Sequence, residues 1–318
     1  MQADEVLKIL VTGANGFIGR RLCTSLQQSG LEVIKAVRVA TAVDKIAVGN
    51  IGPHTNWGSA LATCPEIVIH LASRVHPMKG EEADFLSVCR AVNVQGTLNF
   101  ARQAAAAGVK RFIFISSIKV NGESSLLGRP FRDDDTPAPE DPYGISKHEA
   151  EQALHQVARE TSMEVVIIRP PLVYGPGVKA NFALMTQWLA RGLPLPFAAV
   201  TDNRRSLVSL DNLVDLIIVC ASLPAAGNQT FLVSDGQDLS TADLLVRMGV
   251  ALGKPARLFH LPTSLLKLIA IATRSLGVYQ RLCGSLQVDT RKTRHMLGWT
   301  PPLSVDEGLS RAFKHDGQ

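Results

Sequence analysis

Three absences narrow the field. Cysteine is sparse and unpaired: Cys23, Cys64, Cys89, Cys220 and Cys283 are five in number and scattered. No two have metal-ligand spacing, so no metal centre is expected, and an odd, dispersed set points to reduced thiols packed as small apolar groups. No block of Lys or Arg appears, although Lys plus Arg outnumber Asp plus Glu by 33 to 28, a formal charge of +5. An excess spread along the chain is a solvated basic surface that can help hold a phosphorylated ligand, and it gives no nucleic-acid footprint. No apolar run is long enough to cross a bilayer: the most apolar stretch, 265–272, contains Lys267 and is followed by Arg274. The start, Met1-Gln2-Ala3-Asp4-Glu5, is acidic and leads at once into a strand pattern, unlike a secretory leader. The expected compartment is the cytosol. There is no internal repeat and no low-complexity tract.

What is present is a chain of 318 residues, 46% hydrophobic and 19% charged, enough for a full core and one large or two modest domains. An apolar run, 7–11, is followed by Thr12-Gly13-Ala14-Asn15-Gly16-Phe17-Ile18-Gly19 and an amphipathic helix carrying Leu22 and Leu26. Glycines at 13, 16 and 19 suit a tight strand-to-helix turn whose helix N-terminus attracts a pyrophosphate, so this turn is a dinucleotide-binding candidate. A second strand, 32–37, ends in Arg38, where an acid would suit NAD and a cation can pair with the ribose phosphate of NADP; the plain alternative is a solvated Arg. A third strand, 45–48, precedes Asn50-Ile51, placed to flank an adenine. Strand 67–71 closes on Ala72-Ser73, a long helix spans about 83–107 and includes Asn93, and strand 111–115 delivers Ser116-Ser117.

Asp141-Pro142 is a helix-start signal, and the helix that follows runs to about Thr161 with an apolar stripe at Ala150, Ala153, Leu154, Val157 and Ala158. Tyr143 and Lys147, four apart, share a face, and an ammonium beside a phenol favours the phenolate. A sixth strand, 164–168, ends at Arg169-Pro170. Strands alternating with helices at short spacing predict an α/β fold: a Rossmann-like, doubly wound parallel sheet with a smaller C-terminal substrate lobe. The expected division is 1–176 for the nucleotide-binding domain, with a returning segment near 204–233, and 177–318 mainly for the substrate lobe. In that half, 204–211 is expected as a strand, and 240–253, 263–276 and 306–313 as helices.

Together, Thr12 to Gly19, Asn93-x-x-Gly96-Thr97, Ser116-Ser117, Tyr143-x-x-x-Lys147, Arg169-Pro170 and Tyr174-Gly175-Pro176 resemble the extended short-chain dehydrogenase/reductases, a likeness that extends to Leu297-Gly298-Trp299. The resemblance implies that Ser117 bonds the substrate oxygen, with Ser116 as the neighbouring alternative. It makes Tyr143 the acid/base, Lys147 the group that holds the nicotinamide ribose, and Asn93 a member of the supporting network. Cofactor contacts would come from Gly13, Asn15, Gly16, Phe17, Ile18, Gly19, Arg38, Asn50, Ile51, Leu71, Ala72, Ser73, Tyr143, Lys147 and Pro170. It also implies a homodimer built on the helices of Asn93 and Tyr143. Phe100, Ala104, Ala107, Ala150, Leu154 and Val157 would then serve either that seam or the sheet.

Within the family the chain is similar to the nucleotide-sugar branch of UDP-glucose 4-epimerase relatives. Asn181 (with Phe182), Arg204 or Arg205, and Asp289 stand where that branch holds a UDP-sugar. Leu286 stands where epimerases carry a phosphate-binding Arg, and Arg38 where they carry an Asp. Ser117-Ile118-Lys119-Val120-Asn121-Gly122 and Arg204-Arg205-Ser206-Leu207-Val208 look like the bacterial UDP-N-acetylquinovosamine dehydrogenases of O-antigen synthesis. The resemblance therefore implies an NADP(H)-preferring 4-keto reductase of a UDP-4-keto-6-deoxy-N-acetylhexosamine, with NAD(H) possible. The alternatives are a 4-epimerase with bound NAD and a non-catalytic dinucleotide sensor.

Overall fold

The computed structural model describes residues 7–78, 81–178 and 180–314, the side chains of 180 and 181 excepted. The apolar runs form the parallel strands β1 (Lys8–Thr12), β2 (Glu32–Val37), β3 (Lys45–Ala47), β4 (Ile67–His70), β5 (Arg111–Ile115) and β6 (Glu164–Arg169). The short β7 (Leu172–Tyr174) and β8 (Leu207–Ser209) pair with each other, and β9 (Thr230–Leu232) joins β6. The main sheet has seven strands in the order β3-β2-β1-β4-β5-β6-β9. Its order reverses between β1 and β4, the place where an open α/β sheet leaves a crevice beyond the carboxyl ends of its strands. The helices are α1 (Phe17–Gln28), α2 (Gly58–Leu61), α3 (Phe85–Cys89), α4 (Thr97–Ala106), α5 (Pro142–Glu160), α6 (Ala180–Ala190), α7 (Leu210–Ser222), α8 (Thr241–Ala251), α9 (Thr263–Ala272), α10 (Leu276–Cys283), α11 (Arg291–Leu297) and α12 (Val305–Phe313).

Two apolar layers sandwich the sheet. One face packs Leu22 and Leu26 of α1 with Leu213 and Ile217 of α7, closed by Leu297 and Trp299, whose indole N–H donates to Asp215 at 2.7 Å. The other face packs Phe100 and Ala104 of α4 with Ala150, Leu154 and Val157 of α5. Those five residues therefore lie against the sheet, and of the six weighed for a dimer seam only Ala107 is exposed. A third cluster unites α6, α8 and α12 around Tyr174, Phe182 and Leu245. There the Tyr174 hydroxyl donates to Asp235 at 2.6 Å, so Tyr174-Gly175-Pro176 binds the lobe together.

The sequence expectations fail in three places. The long helix over 83–107 is a 3₁₀ turn (Glu82–Asp84), α3, a π-helical segment (Arg90–Gly96) and α4 in series. The π segment sets Asn93 inward at 1% exposure, in the kind of widened turn that recurs at functional sites. The strand expected over 204–211 is only Leu207–Ser209, because the Ser209 hydroxyl caps α7. The segment returning to the main sheet is α7 and β9, while β8 belongs to the two-stranded sheet. The helix expected over 263–276 ends at Ala272, and α10 follows it.

One buried ion pair fixes α5 to the sheet. Arg169, at the end of β6, meets Glu151 of α5 through Nε at 3.0 Å and Nη2 at 2.6 Å, with side chains 6% and 2% exposed. Its Nη1 donates to Asn121 Oδ1 at 2.9 Å, and Ser116 Oγ donates to Glu151. Removing one member strands a buried charge, so Glu151→Ala should lower the unfolding free energy by about 3–5 kcal/mol. Urea denaturation reads this directly, and a loss below about 1 kcal/mol would show the pair to be dispensable.

Candidate active site

The β1–α1 turn makes a cradle that side chains would fill. Gly13 has φ +66°, and a Cβ there would lie 3.0 Å from the Ala72 nitrogen; at Gly19 it would lie 2.2 Å from the Gly13 carbonyl oxygen. Gly13 thus permits the turn and Gly19 the close packing of helix on strand. α1 begins on Gly16 with no side-chain cap, leaving first-turn N–H groups for an anion. Phe17 and Ile18 contribute their place in that first turn while their side chains pack on the core.

Beside the turn lies a cavity of about 710 Å³ lined by Gly13, Asn15, Gly16, Arg38, Asn50, Ile51, Leu71, Ala72 and Ser73. Arg38 is exposed at its margin. Gly96 is explained here: a Cβ would lie 2.7 Å from Ile51 Cγ2, so the π segment can approach the β3 loop only with glycine. Phe17, Ile18, Gly19, Tyr143, Lys147 and Pro170 are not among the cavity's lining residues. Pro170 is buried, and its carbonyl accepts from the Ile118 N–H at 3.0 Å. The wall also holds Arg74 and Glu81, which the sequence reading missed; they are paired, and the buried Arg74 Nε has no partner among the described residues. A glycine cradle, an uncapped helix start and an orphaned guanidinium N–H fit the phosphates of a dinucleotide.

At the carboxyl end of β5 the two serines diverge. Ser116 is buried against Glu151, while Ser117 is half-buried, its hydroxyl accepting from the Lys119 N–H at 3.2 Å. Asp141 caps α5 by accepting from the Gly144 N–H at 2.6 Å and also pairs with Lys119. One turn on, the Lys147 ammonium donates to the Ile115 carbonyl at 2.7 Å, 4.2 Å from the Phe114 ring centroid and 5.8 Å from that of Tyr143. Asn93 is the hinge pin between cavity and helix. Its Oδ1 accepts from Ser73 Oγ at 3.0 Å and Arg74 N at 2.7 Å; its Nδ2 donates to Arg74 O and Ser146 Oγ, each at 2.9 Å. Behind it His70, also missed by the sequence reading, bridges Thr12 at 2.7 Å and Thr97 at 3.0 Å.

The electrostatics reverse one expectation. Burial raises the Tyr143 phenol above its usual range, against the lowering by a hydrogen bond from Ser73. Burial also lowers Lys147 from 10.5 to about 7, with Glu151 opposing. The ammonium sits on a carbonyl and over Phe114, so it does not offset the burial of the phenol in the way that sharing a helix face suggested. His70, buried and near the Lys147 cation, is held down at about 3 and stays neutral.

On the substrate side the expected residues scatter. Arg204 turns back onto the Thr201 and Asn203 carbonyls at 2.6 and 2.9 Å. Arg205 donates to the Gly284 carbonyl at 3.1 Å, and burial pulls its pKa down. Asp289 is engaged by Arg291, at 2.5 Å, and by Arg132, at 3.8 Å. Asn181 falls in the first turn of α6, and its side chain lies outside the described residues.

Residues 9–234 match the NAD dependent epimerase/dehydratase family. The chain belongs to that family. It is 48% identical to the UDP-glucose 4-epimerase of Vibrio cholerae over 95% of this chain and 93% of that protein. It is 26% identical to the N-acetyl-alpha-D-glucosaminyl-diphospho-ditrans,octacis-undecaprenol 4-epimerase of Escherichia coli O157:H7, covering 97% of this chain and 95% of that one. In fold it is similar to the UDP-glucuronic acid 4-epimerase from Bacillus cereus in complex with NAD, with a TM-score of 0.76 at 19% identity over 96% and 97% of the two chains. It is likewise similar to the UDP-glucose 4-epimerase of Thermotoga maritima with UDP-glucose, at 0.74 and 23% over 96% and 97%. The likeness in fold covers the whole seven-stranded parallel sheet of this chain.

The lowered Lys147 carries a stability prediction. Unfolded, this Lys holds its proton up to 10.5; folded, it releases it from about 7, so between those values the unfolded chain binds more protons and stability rises with pH. The destabilisation is full below pH 7 and is relieved as pH climbs through the window. Lys147→Met should flatten the rise in urea midpoint across it, and an unchanged slope would place the proton elsewhere.

Proposed function

We propose that this epimerase/dehydratase-family chain is a nucleotide-sugar enzyme acting at C4 of a UDP-linked hexose or N-acetylhexosamine. The observation that carries the reading is that Lys147, with Tyr143 on the same helix, reaches the carboxyl end of β5, from which Ser117 follows, and that Asn93 links α5 to the wall of the glycine-lined cavity. Gly13, Gly16, Arg38, Asn50 and Ser73 would hold a nicotinamide dinucleotide in that cavity, which would supply hydride exchange at C4 when bound. Ser117 orients the C4 oxygen and Tyr143 exchanges its proton, while Lys147, anchored on the Ile115 carbonyl, would hold the nicotinamide ribose. Of the two candidate arginines, Arg204 is turned back onto the Thr201 and Asn203 carbonyls, while the half-buried Arg205 side chain makes a single bond among the described residues, to the Gly284 carbonyl, so Arg205 is the one proposed for the diphosphate. Asn181, Arg204 and Asp289 complete the proposed sugar-nucleotide contacts.

Two outcomes share this chemistry. The first reading is a 4-epimerase, supported by the 48% identity to an enzyme of that name. In that reading C4 would be oxidised and then re-reduced on its opposite face, with no net consumption of cofactor. The second is a 4-keto reductase of a UDP-4-keto-6-deoxy-N-acetylhexosamine, favoured by Arg38. The one carboxylate among the described residues lining the cavity, Glu81, is paired with Arg74, and a cation at position 38 suits the 2′-phosphate of NADPH. A dinucleotide sensor that performs no chemistry has no use for a Tyr and a Lys in this arrangement.

Tyr143→Phe should retain cofactor and lose turnover by about 10²-fold or more, the usual scale for a general acid. Near-normal turnover would remove the phenol from the mechanism. Incubation of purified protein with UDP-hexoses and no added cofactor, and separately with the 4-keto sugar and NADPH or NADH, separates the two readings when products are followed by NMR. Interconversion without added cofactor establishes the epimerase; one-for-one consumption of NADPH establishes the reductase. If Arg38 meets a 2′-phosphate, Arg38→Ala should cut NADPH affinity by about one to two decades and leave NADH unchanged. Equal loss for both cofactors would refute that contact.

A further inference from the structure

The chain carries a second chemically distinctive surface, on helices that supply none of the catalytic or cofactor residues named above. From Leu244 to Val288 there is not one Asp or Glu, while Arg247, Lys254, Arg257, Lys267, Arg274 and Arg281 all fall in it. This segment contains α9 and α10. Of α9 only Ala270 is buried, with Leu266 tucked against the third core cluster. Leu265, Leu268, Ile269 and Ile271 remain 43%, 62%, 46% and 54% exposed, and Leu276 and Val278 of α10 extend the patch. Positions 265, 268, 269 and 272 recur at the spacing of one helical face, so the aliphatic stripe is continuous. Lys267 lies outside that stripe on α9, and Arg274 follows in the turn between α9 and α10. Among the described residues Lys254, Arg257, Lys267, Arg274 and Arg281 are exposed and held in no ion pair.

We infer that α9 and α10 dock the protein on an anionic phospholipid bilayer surface. An aliphatic stripe beside unpaired cations, with no acid to oppose them, is the composition of a helix that lies in the headgroup region with its apolar face inserted. No helix among the described residues is long and apolar enough to cross a membrane, so this is attachment to one face. A second copy is the poorer occupant: a twofold contact sets the patch against itself and brings ten unpaired cations together. A polyphosphate partner would account for the cations and leave the aliphatic stripe unexplained. The docked face also adjoins the cleft, because α10 ends at Gly284, whose carbonyl accepts from Arg205. Docking would therefore present the substrate lobe at the membrane plane.

Co-sedimentation of the full chain with vesicles tests this. Binding is expected to vesicles of phosphatidylethanolamine with phosphatidylglycerol, not to phosphatidylcholine alone, and to fall with added salt. Leu268→Glu with Ile271→Glu, and separately Lys267→Glu with Arg274→Glu, should each reduce the bound fraction about tenfold or more. All four positions are exposed, so thermal midpoints should not move. A chain that stays in the supernatant, or variants that sediment as the parent does, would overturn the inference. So would a lipid-free parent that is an oligomer by analytical ultracentrifugation and becomes a monomer in Leu268→Glu with Ile271→Glu, since the patch would then be a contact between copies.

Discussion

The Glu151–Arg169 pair is the constraint on which the site depends. It joins the third turn of α5 to the carboxyl end of β6, with Ser116 at the end of β5 and Asn121 in the following loop bonded to its two members. A helix held at that point has little freedom to slide, so Tyr143 and Lys147, two turns and one turn earlier, keep their height above the strand ends. The same pair takes Ser116 out of consideration for the cleft. Ser117, on the opposite side of the chain by alternation, is left with a hydroxyl that, among the described residues, only the Lys119 backbone N–H engages. A stability element and the choice between two adjacent serines are thus one arrangement.

A second polar network, built on Asn93 and His70, crosses from the cavity to α5. Neutral His70 bridges β1 to α4 through two threonines, and Asn93 bridges the strand-end loop to Ser146. The buried Lys147 faces this neutral histidine and an aromatic ring; Glu151, at the next turn of its helix, acts on it only through space. That setting explains a Lys poised near neutrality.

The six strands before residue 170 were legible because each is a short apolar run bounded by turn residues, and burial on both faces of a parallel sheet demands that composition. Tyr143 and its helix were legible from Asp141-Pro142, whose capping bond forms as expected. The break in the long helix was not, since a π segment depends on packing between Gly96 and Ile51, which are 45 positions apart in sequence. His70 was invisible for the same reason, since Thr12 and Thr97 come from another strand and a helix, whereas Arg74 pairs within its own loop with Glu81, where no periodicity marks either residue. The sign of the Tyr143 shift was missed because spacing along a helix gives the neighbour's identity and says nothing of burial. The six residues offered for a dimer seam were ambiguous by periodicity, and the sheet claims five of them. Leu265 to Ala272 appeared as an apolar run too short to span a bilayer; its exposure came only with the fold.

The start of α1 has a consequence of a thermodynamic kind. Helices α5, α7, α8 and α12 begin on Asp or Ser side chains that satisfy their first N–H groups internally, whereas α1 begins on a glycine. Its missing acceptor must be borrowed from solution. A ligand that lends one adds its binding free energy to the folded state alone, so the heat resistance of the whole sheet becomes a gauge of how much anion the surroundings contain.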